Sequence, residues 1–230
     1  MADVKLAQPP IHAFFFIPPI EDNWIGHIVS EIWKDKIYQP YIGGKKDLVI
    51  VDVGSNLGFT SYYFSQFAKI VYSLEPSFEH FDILTRMIAF NGLNNVVPIN
   101  KAIYTKSGKY PFGGPKDNKT MRSLHMATWN KGKADEEVDA ITLPELFKEQ
   151  NIEHVDLLKL DVEGSEMEIL SSETFKQVAP KIDLIIGERH RWNGRHPNQL
   201  NEALKNAGFN VEQLENDADI FLLALTHSHN

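Results

Sequence analysis

The 230-residue sequence contains no cysteine, which excludes a disulfide, a thiolate metal site and a cysteine nucleophile. A reducing, cytoplasmic setting is the expectation that follows. The apolar run Phe14-Phe15-Phe16-Ile17 is cut short by Pro18-Pro19 and has no small-residue cleavage pattern after it, so neither a signal peptide nor a membrane span is expected. Basic excess is missing too. With 23 Lys and Arg against 31 Asp and Glu, the net charge of -8 speaks against a generic nucleic-acid coat, which depends on basic surface. There is no internal repeat, no histidine-rich cluster that would call for a metal, and no complete Gly-x-Gly-x-x-Gly loop.

What is present has the composition of an ordinary soluble domain, 43% hydrophobic and 23% charged. A chain of this length buries about 70% of its unfolded surface. Residues 1–44 read as an arm and a helix, since Trp24, Ile28, Ile32 and Trp33 recur at helical spacing between Asp22 and Tyr38. Residues 45–230 read as one α/β domain with an irregular loop or hairpin insertion near 104–135, rich in glycine and lysine. Phe78, Phe81, Leu84 and Ile88 mark one face of a helix that Asn91-Gly92 stops, and Thr142 with Pro144 opens another. Strands alternate with helices until a closing hairpin, which predicts a mostly parallel sheet. Pro98 puts the third strand at its edge, as an order 3-2-1-4-5 requires.

Two stretches carry the chemistry. In residues 49–60 the run Val49-Ile50-Val51 ends in Asp52, and Gly54 and Gly58 follow ahead of an aromatic-rich helical pattern. This predicts a buried strand, a tight turn and a helix start, with both glycines where a ligand lies against the main chain. A carboxylate at the strand tip crowds a pyrophosphate but suits a cation. About 20 residues on, Ile70-Val71-Tyr72-Ser73-Leu74 ends in Glu75, placed to accept both ribose hydroxyls of an adenosine. Together the two elements predict S-adenosylmethionine. Asn100, Lys101 and Ala102 at the third strand's end are candidates for the adenine edge, with a plain turn as the alternative.

The second stretch is Val155-Asp156-Leu157-Leu158-Lys159-Leu160-Asp161-Val162-Glu163-Gly164-Ser165-Glu166. Lys159 sits inside an apolar strand, and period two puts it on the face of Asp161, with Asp52 on the adjacent strand. An ion pair bracing the acidic residues is the first reading; a general base of depressed pKa is the other. Asp52, Glu75, Asn100, Asp161 and Glu188 then stand at five successive strand ends. The sulfonium and ammonium of S-adenosylmethionine are the expected cations among them, with a metal ion as the rival.

Residues 51–58, Glu75-Pro76 and the Lys159-x-Asp161-x-Glu163-Gly164 element resemble the FkbM-type S-adenosylmethionine-dependent methyltransferases, over roughly residues 48–186. The resemblance implies a Rossmann-like class I methyltransferase fold: a mostly parallel seven-stranded sheet of order 3-2-1-4-5-7-6 with an antiparallel C-terminal strand. It implies O-methylation of a hydroxyl on a small molecule or sugar. The cofactor contacts implied are Asp52, Gly54, Ser55, Asn56, Gly58, Glu75, Pro76, Ser77, Asn100, Ala102 and Asp161. His190 is the first candidate for the base that takes the hydroxyl proton, ahead of Glu163 and His125, with Lys159 the candidate of depressed pKa. No metal is assigned. Arg122-Ser123-Leu124-His125 is expected to face the pocket. Nucleic-acid methylation guided by the basic residues between 106 and 122, and a non-catalytic S-adenosylmethionine-binding module, stay open as alternatives. The N-terminal arm is expected to pack on the domain or on a second copy of the chain, giving a homo-oligomer.

Overall fold

The computed structural model describes residues 2–5, 13–17, 24–114, 122–124, 133–189, 197–214 and 220–226. Strands β1 (Ala2–Lys5) and β2 (Phe14–Ile17) pair antiparallel. Helix α1 (Trp24–Val29) continues through a π-helical turn, Ser30–Lys34, and ends there. That is short of the expected Tyr38, because Lys36 takes a left-handed φ of 57° that no helix can carry on through. A short α2 (Gln39–Ile42) follows.

The core then alternates: β3 (Leu48–Val53), α3 (Phe59–Ser65), β4 (Ala68–Leu74), α4 (Phe78–Phe90) and β5 (Val96–Ile99). Next come β6 (Ala102–Ile103), β7 (Gly108–Gly114) and β8 (Lys133–Ile141), which form a separate three-stranded sheet. In it β7 and β8 pair antiparallel while β6 and β8 run parallel. The core resumes with α5 (Leu143–Glu149), β9 (Leu157–Leu160), α6 (Glu166–Leu170), α7 (Glu173–Val178), β10 (Leu184–Arg189), α8 (Pro197–Asn206), β11 (Phe209–Leu214) and β12 (Ile220–Thr226). Thr142 caps α5 in a reciprocal box with Glu145, each satisfying the other's backbone amide, as the sequence predicts.

The main sheet has seven strands in the order β5-β4-β3-β9-β10-β12-β11. Numbered by its own strands, that is 3-2-1-4-5-7-6. The pairs from β5 to β10 are parallel, and β12 runs antiparallel to both its neighbours. Because side chains alternate along a strand, each strand feeds two cores at once. Val51, Leu74, Leu158 and Ile185 pack with α5, α6, α7 and α8; Ile50, Val71, Leu157 and Ile186 pack with α3 and α4. Pro98 sits on β5 at the sheet edge, opposite Ser73.

One sequence expectation shifts. The buried face of α4 is His80, Ile83, Leu84 and Met87, at i, i+3, i+4 and i+7, while Phe78 in its first turn is 73% exposed. The N-terminal arm packs on its own domain. Phe15, 2% exposed, stacks on Phe59 at 4.3 Å and meets the edges of Tyr62 and Trp33 at 5.4 and 6.2 Å. Phe15→Ala is expected to lower the unfolding free energy by about 3 kcal/mol in a urea titration, the scale of a lost core aromatic. An unchanged midpoint would mean that the arm contributes nothing to the core.

Candidate functional site

The carboxyl ends of β3, β4 and β9 surround a cleft of about 600 Å³, solvent-filled space included. Its position follows from the topology, since neighbouring strands lead their connections to opposite faces there and leave a crevice. The small sheet supplies the facing wall through Ala102, Ile103 and Phe112, with Arg122 and Leu124 beside them.

Glu75 is the buried acid of the cleft, 4% exposed. Its carboxylate accepts the backbone N–H of Asn56 at 2.9 Å and of Ser77 at 2.8 Å, and His80 Nδ1 lies 4.0 Å away. Burial pushes its pKa from 4.5 up to about 7, against the pull of those two amides and of the Lys159 and Arg122 charges. Two N–H bonds leave two further lone-pair sites on the carboxylate for a ligand.

The other acids are arranged around Lys159. Its ammonium donates to the Gly54 carbonyl at 2.8 Å and the Val53 carbonyl at 3.4 Å, and lies 3.5 Å from Asp52 Oδ1 and 3.4 Å from Asp161 Oδ2. Asp52, fully buried, also accepts the hydroxyls of Thr60 and Ser61, each at 2.7 Å, and Ser73 donates to Ser61 at 2.8 Å. Desolvation works against the charged ammonium, but the surrounding carboxylates Asp161, Asp52 and Glu188 outweigh it, and the Lys159 pKa is raised. The reading of Lys159 as a base of depressed pKa is therefore corrected: it is a charged ion-pair partner. Asp52 is corrected with it. The cation it answers is internal, and its side chain does not reach the cleft.

Asp161 and Asn56 do reach it. Asp161 Oδ1 and Asn56 Oδ1 are buried in the cleft wall with no hydrogen-bond donor among the described residues. A cavity with such atoms is built for a ligand that brings donors. The ammonium, ribose hydroxyls and adenine amine of S-adenosylmethionine are donors of that kind, so the residues fit the expected cofactor.

The loop after β9 forms the third side. Glu166, 4% exposed, accepts the backbone N–H of Val162 at 3.0 Å and of Gly164 at 3.0 Å. That holds Glu163 at a left-handed φ of 56°, a conformation a non-glycine residue keeps only where its surroundings impose it, and Glu163 lines the cleft. Ser123 Oγ donates to the Glu163 carbonyl at 2.8 Å.

Of the residues singled out in the sequence, Gly54, Asn56, Glu75, Pro76, Ala102, Asp161 and Glu163 line the cleft, and so do Lys101, Arg122 and Leu124. Ser55, Gly58, Ser77, Asn100, Asp52 and Lys159 do not. Ser55 Oγ is turned inward to the Asp52 carbonyl at 2.8 Å, and Ser77 Oγ accepts from Arg122 at 2.9 Å. Asn100 holds the turn by donating to the Glu75 and Pro76 carbonyls at 2.8 and 3.0 Å, so its amide is spent there, while Lys101 and Ala102 beside it line the cleft. Gly58, at φ 92°, is needed for packing, as a Cβ there would meet the Met87 methyl at 2.3 Å. A Cβ on Gly54 would meet the Asp161 carbonyl oxygen at 1.8 Å, so this glycine serves strand-to-strand approach as well as the cleft. His190 and His125 lie outside the described residues. His80, Ile103, Phe112 and Ser165 line the cleft unannounced. For His80 a signal existed, the i, i+3, i+4, i+7 phase of α4.

At the opposite ends of β9 and β10, His154, Asp156 and Asp183 bring ligand atoms within 4.8 Å of one another. His154 pairs with Asp183 at 3.0 Å, and Asp156 accepts the Val49 amide at 2.7 Å. This exposed trio is remote from the cleft.

Comparison with known proteins agrees with this geometry. The model of the methyltransferase FkbM domain matches residues 52–211. Methyltransferase sdnD of Sordaria araneosa is 27% identical, covering 86% of both chains. Hexuronic acid methyltransferase AglP of Haloferax volcanii is 26% identical, covering 84% of this chain and 81% of its own. Among solved structures, precorrin-6y C5,15-methyltransferase of Geobacter metallireducens shares the fold with a TM-score of 0.52 at 12% identity, over 84% of this chain and 87% of that one. SMU.1697c of Streptococcus mutans, solved in complex with SAH, does so with a TM-score of 0.54 at 9% identity, over 83% and 96%.

A buried carboxylate whose folded pKa lies above its unfolded value stabilises the fold while protonated and loses that contribution as pH rises through the folded pKa. For Glu75 the window runs from 4.5 to about 7. Across it the wild type is expected to lose about 3 kcal/mol of stability relative to Glu75→Gln, read from urea titrations at a series of pH values. Parallel pH profiles of the two proteins would contradict the burial effect.

Proposed function

Since the chain belongs to the FkbM methyltransferase family, we propose that it binds S-adenosylmethionine in the cleft and methylates a hydroxyl oxygen on a small molecule or sugar. The observation that carries the reading is the pair of donor-less oxygens, Asn56 Oδ1 and Asp161 Oδ1, in the same wall as the buried Glu75. S-adenosylmethionine supplies an electrophilic methyl group on a sulfonium. The remaining work belongs to the chain. Glu75, ionised, accepts the two ribose hydroxyls; Asn56 and Asp161 accept from the amino-acid end; Ile103, Phe112 and Leu124 offer the base an apolar wall. Methyl transfer is chiefly a matter of bringing the acceptor oxygen in line, so a preformed cleft does most of it. The acceptor's proton needs a base within hydrogen-bond reach, and we assign that role to Glu163, which lines the cleft on a constrained backbone.

The relative that acts on a hexuronic acid supports a sugar or sugar-acid acceptor. A nucleic-acid acceptor has less support, because two of the described basic residues of the insertion, Lys109 and Arg122, are already matched. Lys109 pairs with Asp139 at 3.1 Å, and Arg122 pairs with Asp135 and Glu136.

Isothermal titration with S-adenosylhomocysteine is expected to give binding, and Glu75→Ala to weaken it by about 1.5–3 kcal/mol, the scale of hydrogen bonds to a charged group. No heat from the wild type at millimolar ligand would end the cofactor assignment. With labelled S-adenosylmethionine and a panel of uronic acids, neutral sugars and small alcohols, Glu163→Gln is expected to lower kcat about 100-fold or more while leaving S-adenosylhomocysteine affinity in place. A Gln variant as active as wild type removes Glu163 from the chemistry.

A further inference from the structure

A buried lysine is a costly thing to keep in a parallel sheet, and an ion pair of this kind is weak evidence for stability, because apolar residues of similar volume often serve as well. Lys159 is 3% exposed, in a strand whose other members, Leu157, Leu158 and Leu160, are all fully buried. Its location narrows the reason. Asp52 is its direct register partner on β3, and Asp161 follows two residues later on the same face, where β9 opens into the cleft.

The ammonium's three protons meet four oxygens, and these belong to three parts of the site. The Gly54 carbonyl comes from the turn after β3, Asp52 and the Val53 carbonyl from the end of β3 itself, and Asp161 from the cleft wall. Asp161 presents one oxygen, Oδ2, to the ammonium and keeps the other, Oδ1, buried and without a donor. Free of that ammonium, the Asp161 side chain could turn either oxygen toward solvent, being 29% exposed. With it, one oxygen is occupied and the other is left for the ligand. Asp52 has a different share, since Thr60, Ser61 and Lys159 all engage it and nothing of it reaches the cleft.

We propose that Lys159 is a positioning residue for the cofactor: it pins Asp161 Oδ2 so that Oδ1 stands ready for the ligand's ammonium, and Asp52 balances its charge from behind. The proposal rests on the cleft being the S-adenosylmethionine site. It assigns the Lys159-x-Asp161 pair one joint task in binding, and it distinguishes Asp161, which touches the ligand, from Lys159 and Asp52, which act through it.

The test is a double-mutant cycle in S-adenosylhomocysteine affinity, with thermal melting to confirm the fold. Lys159→Met alone leaves Asp52 buried and uncompensated, so the background used is Lys159→Met/Asp52→Asn, in which the asparagine oxygen still accepts from Thr60 and Ser61. This background is expected to melt cooperatively and to bind S-adenosylhomocysteine at least 10-fold more weakly than wild type. Asp161→Asn is expected to cost at least 10-fold in the wild-type background and less than 2-fold in the other. A merely structural lysine would lower the melting temperature and leave affinity unchanged. Wild-type affinity in the Lys159→Met/Asp52→Asn protein, or an equal Asp161→Asn penalty in both backgrounds, overturns the proposal while the cofactor site stands. Absence of binding by the wild type overturns the site itself.

Discussion

Removing the Lys159 ammonium from water costs several kcal/mol, which the fold offsets only by delivering four oxygens to it from two strands and the turn between sheet and helix. That requirement fixes much else. β3 and β9 must pair in the register that sets Asp52 beside Lys159. Helix α3 must begin where Thr60 and Ser61 can satisfy the second oxygen of Asp52, and β4 must bring Ser73 against Ser61. The polar network therefore ties three strands and a helix together at the end of the sheet where the cleft opens.

The opposite wall is assembled by other means. The three-stranded sheet is held to the main body through Arg122, which lies over the Phe112 ring at 5.4 Å, donates to Ser77 and pairs with Glu136 at 2.9 Å. Glu136 in turn accepts the Phe78 amide at 3.3 Å, at the start of α4. Ser123 reaches the other side through the Glu163 carbonyl. Residues 122–124 thus touch both rims of the cleft, one after β4 and one after β9. The cofactor side is built from sheet ends, and its outer wall from an insertion fastened across them.

Much of this was legible in the chain, and the parts that were not share a cause. Period two placed Lys159 with Asp161 and opposite Asp52, and the ion pairs followed as expected. The same periodicity says nothing about depth, so Asp52 read as a ligand group although it lies beneath the cleft with its own cation. Asn100, Ser55 and Ser77 sit at the right strand ends, but the first two spend their polar side-chain atoms on the turns and Ser77 its hydroxyl on Arg122. On α4 the chosen face holds at Phe81, Leu84 and Ile88, which pack on the core, but its first member Phe78 is exposed and His80, a cleft residue, went unnoticed. Phe112 and Ile103 gave no sign, since their strands flank β8 in a separate sheet rather than joining the main one.

By itself the sequence determined the alternating partition of apolar residues into two cores and the glycine positions where backbones approach. Both are consequences of local periodicity and of backbone sterics that act within a few residues. Which carboxylate oxygen meets a lysine and which stays unpaired was decided only by the tertiary structure. Charges separated by more than a hundred residues compete for the same few ångströms, and only packing fixes which of them is left without a partner.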